Sequence, residues 1–160
     1  MEAGRPSITA LHAAFMRAHH DAHARPTIFA HTYAHLMLSA SERESIEARL
    51  LDDLHRVDPA LAQSCPDRQA ASAVAMQALP SPAHIIVRAR YAEDTLAEAM
   101  PRGLRSYVII GAARDIFALR HPELHGQLLV VELDHPATQA FKRQRLAEVG
   151  LPPWPGVPCL

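Results

Sequence analysis

The chain has 160 residues, enough for one ordinary domain with a real core and short for two. A formal net charge of −1 gives no global pull toward nucleic acid or an anionic membrane, and no apolar run approaches the ~18 residues of a membrane span. Cys65 and Cys159 lie far apart in no metal-like spacing. That pattern excludes a disulfide framework and fits a reducing cytoplasm, the expected location.

In chain order, Ser7 to about His23 repeats Leu11, Ala14, Phe15 and Ala18 at the spacing of one helical face, and Pro26 follows it. A second helical pattern runs through Phe29, Tyr33, Leu36 and Met37. Ser41 and Glu44 stand as a capping box before a third helix whose face reads Ile46, Leu50, Leu51 and Leu54, stopping near Asp58-Pro59. A fourth helix is expected from Asp67 to Leu79, closed by Pro80 and Pro82, and a fifth from Ile85 to Met100, closed by Pro101 and Gly103. Ser106 to Ile110 (SYVII) then reads as a short, buried parallel strand stopped by Gly111. Asp115 to Arg120 leaves room only for a short helix, and Gln127 to Glu132 (QLLVVE) is the second buried strand. Pro136 and Gly150 bracket a last helix as first-turn proline and cap glycine. The expected fold class is α/β: a helical N-terminal cap over 1–84, a partial Rossmann-like β-α-β-α segment over 85–150, and a Pro-rich, irregular tail over 151–160.

Parallel α/β sheets bind ligands at the carboxyl ends of their strands. Here the first strand ends in Gly111-Ala112-Ala113-Arg114-Asp115 and the second in Glu132-Leu133-Asp134. The acid lies about 20 residues beyond the glycine, the separation that sets a carboxylate on a ribose diol. Its two oxygens can accept from both ribose hydroxyls, and Gly111 allows close approach of the backbone to a nucleoside. A dinucleotide fingerprint would need two more glycines, where Ala113 and Ile116 stand. S-adenosylmethionine has no phosphate and asks only for the turn glycine and the ribose acid.

Three stretches, RARYAEDTLAEA (88–99), YVIIGAARDIFALR (107–120) and VELDHPATQAFKRQRLAEVG (131–150), resemble the bacterial branch of the leucine carboxyl methyltransferase-like family, and the resemblance extends from about Thr9-Ala10 to Gly150. It implies a class I fold, S-adenosyl-L-methionine as cofactor, and O-methylation of a carboxylate or hydroxyl on a small molecule or peptide. By the same resemblance Arg90 would meet the cofactor carboxylate, Gly111 with Ala112 would line the adenosyl site, and Asp134 would hold the ribose. The family loop usually reads Gly-Ala-Gly-Leu-Asp, so Ala113 and Arg114 are departures. A fold of about seven strands is implied, of which two are evident here. Two readings follow: a methyltransferase, or a truncated, inactive fragment or paralogue with weak or no cofactor binding.

Other groups have plainer readings. Asp115 reads as a helix cap, and Arg88, Glu93 and Asp94 as surface or ion-pair residues. Lys142, Arg143 and Arg145 read as a solvated helix face. His19/His23 and His31/His35 have i,i+4 spacing but lack the glutamate and third ligand of a zinc site, so no metal is expected. Open sheet edges predict self-association.

Overall fold

The computed structural model describes residues 7–151, and it contains seven α-helices, three short 3-10 turns and two strands among those residues. The helices α1 (Ile8–His23), α2 (Ala40–Val57), α3 (Pro59–Ser64), α4 (Arg68–Ala78) and α5 (Pro80–Ala99) precede β1 (Ser106–Ile110), α6 (Phe117–Arg120), β2 (Leu129–Leu133) and α7 (Pro136–Glu148). The fold is thus the expected α/β arrangement of helices followed by a partial parallel sheet. Beyond Leu151, the tail expected over 151–160 lies outside the described residues.

Several boundaries differ from the sequence reading, each for a local reason. The capping box of α2 is formed by Ser39 and Glu42, two residues before the Ser41/Glu44 pair: Glu42 N donates to Ser39 Oγ at 3.2 Å and Ser39 N to Glu42 Oε2 at 2.9 Å. Both pairs satisfy the motif, and Glu42 has an additional tertiary partner. Pro80 and Pro82 open α5 rather than close α4, since a proline in the first helical turn sacrifices no hydrogen bond. The junction bends the two helices by 64°. The pattern through Phe29 and Met37 yields only the 3-10 turn Ala34–Met37. The unexpected α3 is started by Asp58, whose carboxylate accepts from Leu61 N at 3.0 Å, with Pro59 in its first turn. Amides of Gln127 and Leu128 are taken by Leu124 O, which delays β2 to Leu129.

Packing forms two clusters. The larger one joins Phe15, Met16, Met37, Leu38, Ile46, Leu50 and Leu54 with Ile116 from the loop after β1 and Leu146 from α7. The smaller gathers Leu96, Phe117, Leu128 and Val130, with Tyr107 and Ile109 of β1 against it. The strands run parallel, with Ser106 opposite Leu129 and Ile110 opposite Leu133. Side chains alternate across the sheet, so Tyr107, Ile109, Val130 and Glu132 face the covered side. Val108, Ile110, Leu129, Val131 and Leu133 face the other, where Ile110 is 82% exposed and Leu129 50%.

The basic cluster on α7 is not a solvated face. Lys142 is buried, and its Nζ donates to both carboxylate oxygens of buried Glu132 at 2.7 and 2.6 Å. Arg145 donates to Leu36 O and Leu38 O at 2.7 and 2.9 Å, tying α7 to the 3-10 turn. Only Arg143 of the three is fully exposed. Spacing along a helix cannot reveal that a strand opposite supplies a buried carboxylate. No single helix among the described residues is long and apolar enough to cross a membrane, although α4 and α5 taken as a bent pair would be.

Candidate functional site

Two parallel strands ending side by side place their exit loops together. Gly111 N and Ala112 N both donate to Leu133 O, at 2.8 and 3.3 Å. One residue further on, Ala113 N donates to Asp134 Oδ2 at 2.6 Å, while Asp134 Oδ1 accepts from His135 N at 2.6 Å. Asp134 therefore both clamps the glycine loop and leads into α7, whose first turn is capped by the His135 ring accepting from Ala137 N. A carboxylate offers about four acceptor directions, and backbone amides occupy two of Asp134's. Two have no partner among the described residues.

Gly111 has φ +69°, and a Cβ built there would meet nothing within 4 Å. Its conformation favours glycine, and the direction a side chain would take is open space. Ala112 beside it is buried. Ala113 is the one non-glycine residue among those described with positive φ, at +50°. The left-handed region costs an L-residue roughly 1–2 kcal/mol, which explains why a glycine suits this loop position. We expect Ala113→Gly to stabilise the protein by up to about 1 kcal/mol after the extra backbone entropy of glycine is subtracted. Urea unfolding midpoints measure this directly, and an unchanged or lower midpoint would show that the position is not strained.

Arg114 is buried at 4% exposure. Its guanidinium forms a two-pronged pair with Glu42 (Nη1–Oε2 3.0 Å, Nη2–Oε1 2.6 Å), donates to Met37 O, and lies 4.5 Å above the Phe141 ring. One side chain thus ties the cradle loop to α2, the 3-10 turn and α7. Burial pushes the Glu42 carboxyl up, but hydrogen bonds from Arg114 and Ser39 and the Arg114 charge outweigh it, and the net shift is downward. Nothing in the local sequence signals this role.

Asp115 is not the cap of α6, a position that Ile116 holds; from one residue earlier its Oδ1 accepts from Phe117 N at 2.7 Å, and Oδ2 pairs with Arg17 of α1 at 3.1 Å. Burial raises its pKa, yet Arg17, Lys142, the Phe117 amide and Arg120 together hold it below the ordinary value. Glu93 and Asp94 are both ion-paired. Glu93 accepts from the two terminal guanidinium nitrogens of Arg120 and also pairs with His121 Nε2 at 2.9 Å. That hydrogen bond, the largest influence, raises the His121 pKa against burial.

Gly111, Ala112 and Asp134 are therefore brought together, and Arg90 is held elsewhere. Arg90 Nε donates to both oxygens of Asp94, one helical turn away, at 2.8 and 2.7 Å, and Nη1 donates to Ile28 O at 3.3 Å. Its side chain is 51% exposed. Through Ile28 it borders a cleft of about 640 Å³ between α1, α4 and α5, lined by His19, His20, His23, Arg25 and Met76 among others. Among the described residues, no hydrogen bond or ion pair joins Arg90 to the strand-end loops. The His19 and His23 rings meet at a tilt of 50° with centroids 4.6 Å apart. His31 is not helical but buried, 2% exposed. No group of three or more His, Cys, Asp or Glu that could hold a metal occurs among the described residues.

The leucine carboxyl methyltransferase family model matches residues 10–156, almost the whole chain. The chain belongs to the leucine carboxyl methyltransferase family. It is 33% identical over 154 residues to YktD of Bacillus subtilis (strain 168), which is named for S-adenosyl-L-methionine-dependent methyl transfer. That alignment covers 94% of this chain and 50% of the relative. Proteins with the same type of name match over shorter stretches. The one from Mycobacterium avium (strain 104) is 39% identical over 67 residues, covering 42% of this chain and 22% of that protein. The one from Mycolicibacterium gilvum is 33% identical over 76 residues, covering 48% and 30%. The chain spans about half the length of YktD and less of the other two. In this family member the strand-end loops bring Gly111, Ala112 and Asp134 together, with Ala113 in a backbone conformation that favours glycine.

Proposed function

We propose that this chain is the S-adenosyl-L-methionine-binding half of a cytoplasmic O-methyltransferase whose acceptor is a carboxylate or hydroxyl of a small molecule or peptide, with no nucleic acid or membrane involved. The observation that carries the reading is the cradle of Gly111, Ala112 and Asp134 at the ends of β1 and β2. There Asp134 keeps two acceptor directions beyond the amides of Ala113 and His135. The cofactor fits this end of the site: a ribose diol offers two donors to Asp134, and the open direction at Gly111 leaves room for the nucleoside.

When bound, the cofactor supplies an electrophilic methyl group on sulfur. Held by Asp134 at its ribose, with Gly111 and Ala112 along its adenosine, it would serve as the methyl donor to an acceptor oxygen. A carboxylate acceptor needs no general base, because a pKa of about 4 leaves it ionised at neutral pH. A hydroxyl acceptor needs its proton removed. The part of this chain's residues is to bind and orient, and no residue is assigned as a base. Arg90 is retained as the partner of the cofactor's carboxylate by family resemblance, which requires its guanidinium to exchange Asp94 for the ligand. An exposed i,i+4 pair is weak, so that exchange is cheap.

Calorimetric titration with S-adenosyl-L-methionine and S-adenosylhomocysteine tests the reading. We expect saturable binding, weakened at least about tenfold in Asp134→Ala, since each lost charged hydrogen bond is worth roughly 1.5–3 kcal/mol. Circular dichroism separates that loss from unfolding, and Arg90→Ala provides a second variant away from the loop clamp. A folded chain that binds neither ligand would overturn the proposal. The half-length span and the uncovered sheet face favour a second reading, a polypeptide that binds weakly or not at all and turns nothing over by itself. Methyl transfer to any acceptor by the isolated chain would exclude that one.

A further inference from the structure

Basic side chains line the cleft between α1, α4 and α5, and no carboxylate does. His19, His20 and His23 come from the last turns of α1, and Arg25 from the residues that follow. A helix C-terminus favours cations, which accounts for basic residues there. It does not account for a cleft walled with them. Arg25 already answers the helix dipole, donating to Ala24 O at 2.6 Å and to Ala22 O at 3.3 Å. His19 and His23 make ring contacts but no hydrogen bond or ion pair among the described residues, so their nitrogens are free for a ligand.

The rest of the lining is largely apolar, with Met76 of α4, Pro82 and Ile86 of α5, and Ile28. Ile28 is fixed through its backbone: its N donates to His20 Nε2 at 3.1 Å, and its O accepts from Arg90 Nη1 at 3.3 Å. That part of the wall is therefore preformed, and His20, accepting at Nε2, keeps its proton on Nδ1. At about 640 Å³ the cleft has the size of a small-molecule site. Electrostatics select the charge of its occupant. Burial lowers the His19 pKa first, and His23 and His20 lower it further, to about 4. The titratable groups on the cleft are the three imidazoles and Arg25; α4 and α5 place no acid there to relieve the repulsion. An anion among them would relieve it, and would draw a proton onto the imidazoles as it bound.

We propose that this cleft is a binding site for a small organic carboxylate with an apolar body, its charged end among His19, His23 and Arg25 and its body against Met76, Pro82 and Ile86. Gly111, Ala112 and Asp134 contribute nothing to the lining, so the site is separate from the strand-end cradle and does not rest on cofactor binding.

Calorimetric titration of the full chain with 2-naphthoate tests the assignment, with 2-naphthylmethanol as a neutral comparator and inorganic phosphate as charge without the apolar body. We expect saturable binding of the naphthoate alone, several-fold tighter at about pH 6 than at about pH 7.5. Proton uptake should accompany it, read from the heats in buffers of different ionisation enthalpy. His23→Ala, at an exposed position that leaves the fold intact, should weaken binding about tenfold. Ala73→Phe, which fills the cleft from α4, should abolish it with the circular dichroism unchanged. Equal affinity for the alcohol would show an apolar crevice with no preference for charge, and equal affinity for phosphate a site with no use for the apolar body. Either result overturns the proposal. So does a folded chain that binds no naphthoate, or binding that is undiminished in His23→Ala.

Discussion

Replacing Arg114 with methionine is expected to lower the unfolding free energy by about 3–5 kcal/mol, the range for removing one partner of a buried ion pair. The loss has identifiable parts. Glu42 keeps its position in the α2 capping box but loses both guanidinium bonds, and Met37 O loses its donor. Methionine fills much of the same volume over Phe141, so the charge and not a cavity dominates the effect. For a chain of this size the shift in Tm is on the order of 10 °C. The double variant with Glu42→Gln keeps a capping side chain and removes the orphaned charge, and it should recover part of the loss. Thermal unfolding of Arg114→Met, Glu42→Gln and the double variant in one buffer measures the coupling. A shift of only a degree or two in Arg114→Met would mean that the pair is solvated and structurally idle.

Stability should also fall steeply between about pH 6.5 and pH 4.5, before the carboxylates titrate. His31 is the chief cause. Burial depresses its pKa first, then the charges of Arg17 and Arg120, with Asp115 opposing and His20 adding slightly, and the result is about 3. A group whose folded pKa lies below its unfolded value contributes stability that is fully present above about 6.5 and is lost as pH falls toward the folded value. In that window each pH unit removes about 1.4 kcal/mol from this one ring. His19, lowered to about 4 mainly by burial and then by His23, adds in the same direction. His121 works oppositely: its raised pKa gives stability that is present at low pH and lost as pH rises through the folded value. Below about pH 4.5 the depressed Glu42 and Asp115 continue the acid loss.

His31→Leu isolates the effect. Neither ring nitrogen of His31 has a hydrogen-bond partner among the described residues, so an apolar side chain should cost little at pH 7 and flatten the dependence below it. Urea midpoints taken every half unit from pH 7 to 4.5 provide the comparison. Parallel slopes for the two proteins would show that the ring is not held neutral.

The sequence reading located the strands well because their information is local. SYVII is a run of strand formers ended by a glycine that the backbone needs at φ +69°, and it became β1 residue for residue. The Asp134 end of β2 was legible for the same reason. Arg114, Lys142 and Glu42 were not, because their partners lie on other elements: 72 residues separate Arg114 from Glu42. Helix starts failed where two local solutions were equally good. Ser39/Glu42 prevailed over Ser41/Glu44 where a distant guanidinium met one of the two glutamates. The histidines misled in a similar way, since i,i+4 spacing says nothing about His31 when the segment carrying it never becomes a helix.

Ile116 and Leu146 stand in the sheet half of the chain but complete the core of the helices that precede it. The cap and the sheet segment are consequently poor building blocks for recombination. A cap exchanged from a relative would arrive with a surface moulded to that relative's counterparts of Ile116 and Leu146. It would also have to bring a glutamate matched to Arg114. Within this family the two regions should therefore diverge in step, and a chimaera joined at the start of α5 should need those positions carried across with the cap before it folds as well as either parent.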